Sequence, residues 1–324
     1  MKKIPISLII DDFTPVMSLS YYGETRILPD GREKTPRFSY SALVDFCDVI
    51  EKTGIKGKFS IVPMPAGRGN IVDGITDVEQ SDLALWLDTV RARIVPRFTV
   101  CPEMITHGKA ADLAGGGLLN IREDDWSQQQ SRETLTPYIT RALELVRDAG
   151  FSVNGVTSPW EFGIDVEEDY IRAISDAVFA VSGSDKAWYF LHCIRDKAGI
   201  RPWVALDSGD RTVVTIPATT HDHIWRTLEC DDTSEEFISS VADGYITADG
   251  KGGEIPTIIE NGGYPILLTH WQCLMSNGSS AGIRALELVG ERVRTHLSDV
   301  VKWMDIHEIM DMVLEDKDYF TSPI

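Results

Sequence analysis

The sequence predicts an α/β fold of parallel strands alternating with helices, read as one domain forming an α/β barrel, complete or with one strand missing. Two observations carry this. Apolar segments of strand length alternate with segments of helical period nearly throughout the 324 residues. The first apolar run, Ile6-Ser7-Leu8-Ile9-Ile10, is β-branched and ends abruptly at Asp11-Asp12, the pattern of a strand buried on both faces. In parallel α/β folds the chemistry sits at the carboxyl ends of strands. Alone, an Asp-Asp pair reads as a turn residue and a helix cap. As strand neighbours pointing to opposite sides, one acid would face a ligand while the other braces it.

The elements follow in order. Ser39 caps a predicted helix whose Leu43, Phe46, Cys47 and Ile50 share a face, and Gly54 ends it. A polar loop through Arg37 precedes it. Lys58 to Val62 reads as the second strand. A helix from about Ser81 presents Leu83, Trp86, Leu87, Val90 and Ile94. Arg97 to Cys101 is the third strand, and a long polar loop with three consecutive glycines from Gly115 follows. Leu135, Ile139, Leu143 and Val146 mark the next helix, closed by Gly150. Val153 to Thr157 is the fourth strand. Asp165 and Glu168 resemble a capping box opening the helix through Val181. From Ala187 the pattern shifts to short strands, and a stretch of about 187–261 reads as an irregular insertion. A further helix is predicted near Ser234–Val241. Tyr264 to Thr269 is apolar and runs into His270. A helix near Ala281–Leu297, a strand Val300–Met304 and a helix His307–Leu314 complete the chain.

Composition narrows the function. Hydrophobic residues make up 43% and charged residues 25%, and the net charge is -19. Such a charge repels nucleic acid and anionic membranes but not neutral sugars, amides or metal cations. The five cysteines are scattered without a CxxC pair, which argues against a disulfide framework or thiolate zinc site. No apolar stretch is long enough to span a bilayer. The opening residues lack the length and cleavage site of a signal peptide. A cytoplasmic protein is expected, with no nucleic-acid or membrane partner.

Three further strand ends carry chemistry. Glu103 and His107 are four apart, so a helical turn would put both on one side as a grip on a metal. Trp160, with Glu161 beside it in a Pro/Gly turn, offers either a stacking surface for a ring or a core residue. His270 at the lip of the late strand, followed by Trp271, is either a hydrogen-bonded core histidine or a proton carrier. His221 and His223 would share one side of a strand. There they would complete or replace a metal site, contact a substrate, or mark a solvated turn. His192, His296 and His307 read as structural or surface residues.

In sequence order these segments resemble the polysaccharide deacetylases of the NodB-homology family. Its first strand ends in Thr-Phe-Asp-Asp, here Ile9-Ile10-Asp11-Asp12. Its second resembles Lys58-Phe59-Ser60-Ile61-Val62, and its His-Thr-x-x-His stands opposite Glu103-Met104-Ile105-Thr106-His107. Its late Leu-Leu-His is close to Leu268-Thr269-His270, and its last strand and helix are similar to 301–309. The stretch 187–261 matches poorly.

The resemblance implies a seven-stranded or otherwise irregular (β/α) barrel. It implies Asp11 as general base, Asp12 and His107 as metal ligands, and His270 as general acid. Glu103 stands where the family has its first metal histidine. One imidazole and two carboxylates make a harder site, so manganese or iron joins zinc among the divalent ions expected. The family's base-orienting arginine is replaced by Thr157-Ser158-Pro159, which leaves Asp11 without its usual positive neighbour.

The expected function is a metal-dependent hydrolase of a non-peptide amide, a deacetylase of an N-acetylated sugar or related small amide. Trp160, Glu161, His221, His223 and Trp271 would contact a small-molecule or oligosaccharide substrate. The alternatives are a metal-independent amidohydrolase of the same fold and a catalytically inactive carbohydrate-binding barrel. A homo-oligomer is compatible with the irregular middle segment.

Overall fold

A computed structural model describes residues 3–15, 26–27, 33–34, 39–76 and 78–322. The polar loop predicted through Arg37 lies mostly outside these residues. Nine strands build two sheets: β1 (Ile4–Phe13), β2 (Gly57–Ile61), β3 (Phe98–Pro102), β4 (Gly155–Thr157), β5 (Lys186–Phe190), β6 (Trp203–Asp207), β7 (Thr212–Thr215), β8 (Ile266–His270) and β9 (Val301–Trp303). The first sheet runs β8-β1-β2-β3, all parallel, and β9 pairs with the opening residues of β1. The second runs β4-β5-β7-β6, with only β6 antiparallel.

The sheets touch on two sides, at the β3–β4 edge and where the segment after β7 reaches β8. Glu103 bridges Thr157, and Met104 N–H donates to the Thr157 carbonyl at 3.3 Å. On the far side Thr219 N–H donates to Ile266 O at 2.9 Å. Among the described residues no continuous strand ladder closes the ring. The stretch 187–261 therefore contributes nearly all of three strands of the second sheet as well as loops.

Seven longer helices flank the sheets: α1 (Tyr40–Thr53), α2 (Gln80–Thr89), α3 (Arg132–Asp148), α4 (Glu167–Ser182), α5 (Glu235–Tyr245), α6 (Ala281–His296) and α7 (Ile306–Glu315). The end signals of α1 act as read. Ser39 Oγ accepts from Ala42 N–H, and Gly54, in the left-handed conformation, donates to Ile50 O. The capping box expected at Asp165 does not form. A 3-10 turn over Ile164–Val166 intervenes, and α4 starts at Glu167 without a side-chain cap. The sequence pattern gives no sign of the short helices Glu123–Ser127, Arg226–Glu229, Glu254–Glu260 and Trp271–Met275, because one or two turns carry too little period to read. Among the described residues no helix is long and apolar enough to cross a membrane.

β1 is buried along nearly its whole length, as its unbroken apolar run requires. Its close packing fixes one glycine: a Cβ on Gly57 would collide with the carbonyl of Leu8 on the neighbouring strand. Gly57→Ala is expected to cost at least about 1–3 kcal/mol by overpacking, read as a lower urea midpoint. An unchanged midpoint would show that β1 and β2 are not so closely apposed.

Candidate active site

The carboxyl ends of β1, β2, β3 and β8 converge on one cluster. Asp11 pairs in register with His270 across β1 and β8. At Asp12 the alternation of the strand breaks: its φ is +66°, and the β1–β2 register shifts between Ile10 and Phe13. This bulge, rather than the expected opposite-facing pair, brings both carboxylates to the border of Glu103.

Glu103 and His107 do meet, but not on a helical turn. The segment between them is a loop, and Met104 and His107 both take positive φ. Trp160 beside them does so too. Such backbone conformations cost on the order of 1–3 kcal/mol each for residues with a Cβ and gather where a structure over-determines them. Here the restraint is Glu123. Its buried carboxylate accepts from the N–H groups of Ile105 at 3.0 Å, Thr106 at 3.1 Å and His107 at 2.8 Å, and from Tyr138 Oη at 2.6 Å.

Asp12, Glu103 and His107 are buried, and one ligand atom from each lies within 4.8 Å of the others. The fold holds one oxygen of each carboxylate and leaves the other facing the ring. Gln272 Nε2 donates to Asp12 Oδ2 at 2.5 Å. Ser60 Oγ and Asp12 N–H donate to Glu103 Oε2 at 2.5 and 2.7 Å. The remaining oxygens, Asp12 Oδ1 and Glu103 Oε1, stand 2.8 and 3.2 Å from His107 Nε2. Both of these oxygens therefore face the His107 ring and not a donor of the surrounding fold. Three donor atoms that converge while the outer oxygens are held fit a divalent cation, and two carboxylates with one imidazole suit a hard to borderline ion. Burial opposes charge on His107, but Asp12 and Glu103 outweigh it and hold the ring protonated well above its ordinary range. The same imidazole keeps Asp12 below the usual carboxylate range despite burial.

Asp11 is not without a positive neighbour. Lys58, with no exposed surface, forms a buried ion pair with Asp11 and donates to Thr157 Oγ1 at 2.5 Å. The cation comes from β2, and Thr157, at the end of β4, is its second partner. Burial pushes Asp11 up, Lys58 pulls it back, and it settles at about 6. Asp11 raises Lys58 above its ordinary value against the effect of burial. At neutral pH both are charged.

His270 Nδ1 is 2.8 Å from Asp222 Oδ2. Burial would lower the pKa of His270, but the Asp222 contact, with Asp12 and Asp11 nearby, raises it to about 9. Trp225 sets its ring edge-on to His270 at 5.0 Å.

The expected substrate contacts divide. Trp160 is 45% exposed, with its ring 4.3 Å from that of His107 and the Arg122 guanidinium 4.3 Å over it. Trp271 is fully buried among Phe13, Phe46, Phe59 and Trp86, so it is a core residue and not a substrate contact. Glu161 is exposed, and its carbonyl accepts from Gln128 and Ile164. His221 and His223 are not on a strand. His223 opens a short 3-10 helix, and both rings bind Glu254 instead of completing the buried trio. His192, His296 and His307 hydrogen-bond Glu167, the Ala248 carbonyl and Asn154.

The sequence motifs do not single out Lys58, Ser60, Glu123, Asp222 and Gln272, which hold the cluster in place. The signal for Lys58 was present: a lysine inside an apolar strand is buried only with a partner.

The chain is thus a mixed α/β protein with an acid–imidazole cluster at the ends of parallel strands. No family model matches it, and no curated protein matches it. Among solved structures it is similar to the exo-beta-1,4-mannosidase Op5Man5 from Opitutaceae bacterium strain TAV5. That match has a TM-score of 0.41 and 12% identity, and covers 92% of this chain and 60% of the mannosidase. It is also similar to the wild-type sialic acid aldolase of Ruminococcus gnavus, with a TM-score of 0.32 and 10% identity, over 98% of this chain and 99% of that one. The chain spans 60% of the mannosidase's length. At these scores neither likeness bears on activity.

Proposed function

We propose that the chain is a metal-dependent hydrolase of a non-peptide amide, acting on an N-acetylated sugar or related small amide. The observation that carries this reading is the buried convergence of Asp12, Glu103 and His107 beside the Asp11–Lys58 pair, with His270 opposite Asp11 in register. The contacts between the sheets on two sides support treating them as an irregular (β/α) barrel.

Asp12, Glu103 and His107 would hold the cation, which when bound polarises a carbonyl and acidifies water. Asp11, ionised above about pH 6 and held by Lys58, accepts a proton from the attacking water. His270, protonated below about pH 9 and oriented by Asp222, donates a proton from its Nε2 to the departing amine. Two groups with pKa values pushed to either side of neutrality have the division of labour that acid–base catalysis needs. Trp160, half exposed beside His107, offers its ring to a sugar.

The test is hydrolysis of acetylated amino sugars by purified protein, before and after chelation, with Asp12→Ala as control. Loss on chelation, recovery with added metal and inactivity of Asp12→Ala are expected. Activity indifferent to both would remove the metal from the mechanism.

Glu123→Gln tests the loop that carries the ligands. The amide presents a donor where the carboxylate accepted from backbone N–H groups and Tyr138. Cation affinity is expected to weaken about 10-fold or more, as when other outer supports of metal ligands are lost. A calorimetric titration equal to that of the unaltered chain would refute this role.

A further inference from the structure

We propose that His221, His223 and Glu254 form a second divalent-cation site, separate from Asp12, Glu103 and His107 and suited to a borderline ion such as zinc. One ligand atom from each of the three lies within 4.8 Å of the others. His221 Nδ1 is 2.5 Å from Glu254 Oε1, and His223 Nε2 is 3.0 Å from Glu254 Oε2.

The site is built from both sides. Asp222 points the other way, to His270 Nδ1 at 2.8 Å and Trp225 N–H at 3.1 Å. That anchor fixes the backbone between the two histidines, so both rings reach the same carboxylate. Gly244 of α5 leaves the slot for one of them: a Cβ there would stand 2.5 Å from His223 Cγ. Tyr245 closes the slot, its hydroxyl accepting from His223 N–H at 3.1 Å and its ring edge-on to the imidazole at 4.8 Å. Glu254 is oriented by the His221 N–H, 2.9 Å from Oε2.

Two imidazoles and one carboxylate are a donor set that zinc takes in sites with an open position. His221 has a half-exposed side chain, which leaves that position to solvent or to a ligand from solvent. The first trio has two carboxylates and one imidazole, so the two sites differ in hardness. The competing arrangement is a carboxylate shared by two histidines with no ion, and zinc alone separates the two.

The test uses the full chain, free of any affinity tag, stripped with chelator and titrated with zinc chloride. Bound zinc is read by elemental analysis, and the histidine ring resonances by NMR. E254Q and H221A are each expected to bind one zinc fewer per chain than the unaltered protein. In D12A, which lacks the first trio, zinc is still expected to shift or broaden the His221 and His223 resonances. H221A alters an exposed position, so it remains informative should E254Q fail to fold. Equal zinc content in the unaltered chain, E254Q and H221A would overturn the proposal, as would unmoved His221 and His223 resonances in D12A. Failure of the first site would show differently: D12A and E103Q would then bind as much zinc as the unaltered chain while H221A still lost one.

Discussion

Replacing Lys58 by methionine is expected to destabilise the protein by about 3–5 kcal/mol, the cost typical of removing one partner from a buried ion pair. Lys58 has no exposed surface and Asp11 is 5% exposed, so water cannot take the place of the missing cation. Methionine fills the stem of the side chain and keeps the contact with the Phe190 ring, over which the ammonium sits at 5.0 Å. The loss is therefore one of charge more than of packing. Thr157 Oγ1 also loses its donor. Asp11→Asn removes the other half of the pair, and the double variant leaves no buried ion without a partner. Urea unfolding of the two single variants and the double should show strong non-additivity, with the double less destabilised than the sum by about 3 kcal/mol, the upper end of the range usual for contacting residues. Additive effects would mean that Lys58 and Asp11 do not act as a pair. Activity follows the same logic. With Lys58 gone, burial outweighs the remaining attraction of His270 and moves Asp11 above about 6, so the acid limb of the rate profile rises and the rate at neutral pH falls, by about 10-fold for each unit the limb passes beyond neutrality.

The parts of the site that were legible in the sequence are those that end an apolar run. Asp11, Asp12, Glu103, His107 and His270 each interrupt or follow a strand, and all five come together. Polar groups in that place stand out because buried parallel strands are otherwise apolar. The pairings are not legible, because each partner meets its target across a long stretch of chain: Lys58, whose need of a partner the strand does signal, to Asp11 across 47 residues, Asp222 to His270 across 48, Gln272 to Asp12 across 260. Nothing local marks such a pairing. Trp271 shows the converse. It follows His270 directly, yet the turn into the helix Trp271–Met275 sends it into the aromatic core. The Glu103–His107 spacing was right about proximity and wrong about cause. A loop with left-handed residues, tied down by Glu123, does what one helical turn was expected to do. Helices are legible where both caps are encoded, as in α1, and not where the helix is only one or two turns long.

Asp222→Asn is expected to act through the pH profile more than through stability. In the unaltered chain burial would hold His270 low, and it is first the Asp222 contact, then Asp12 and Asp11, that raise it to about 9. Asparagine keeps an oxygen for Nδ1–H and the link to Trp225 N–H, so the ring keeps its tautomer and direction. It removes the charge. The alkaline limb should then fall toward the ordinary histidine value of about 6.5. The sign is definite: a general acid works only while protonated, so lowering its pKa removes activity from the high-pH side and leaves the low-pH side in place. A limb moved from about 9 to about 6.5 lowers the rate at pH 8 by about 30-fold, while the rate near pH 6 changes only by a small factor. His270→Ala, by contrast, should lose activity at every pH. Measuring kcat/KM from pH 5 to about 10 for both variants separates the roles. A uniform loss in Asp222→Asn, with the alkaline limb unmoved, would mean that Asp222 supports the fold near His270 and does not set its protonation.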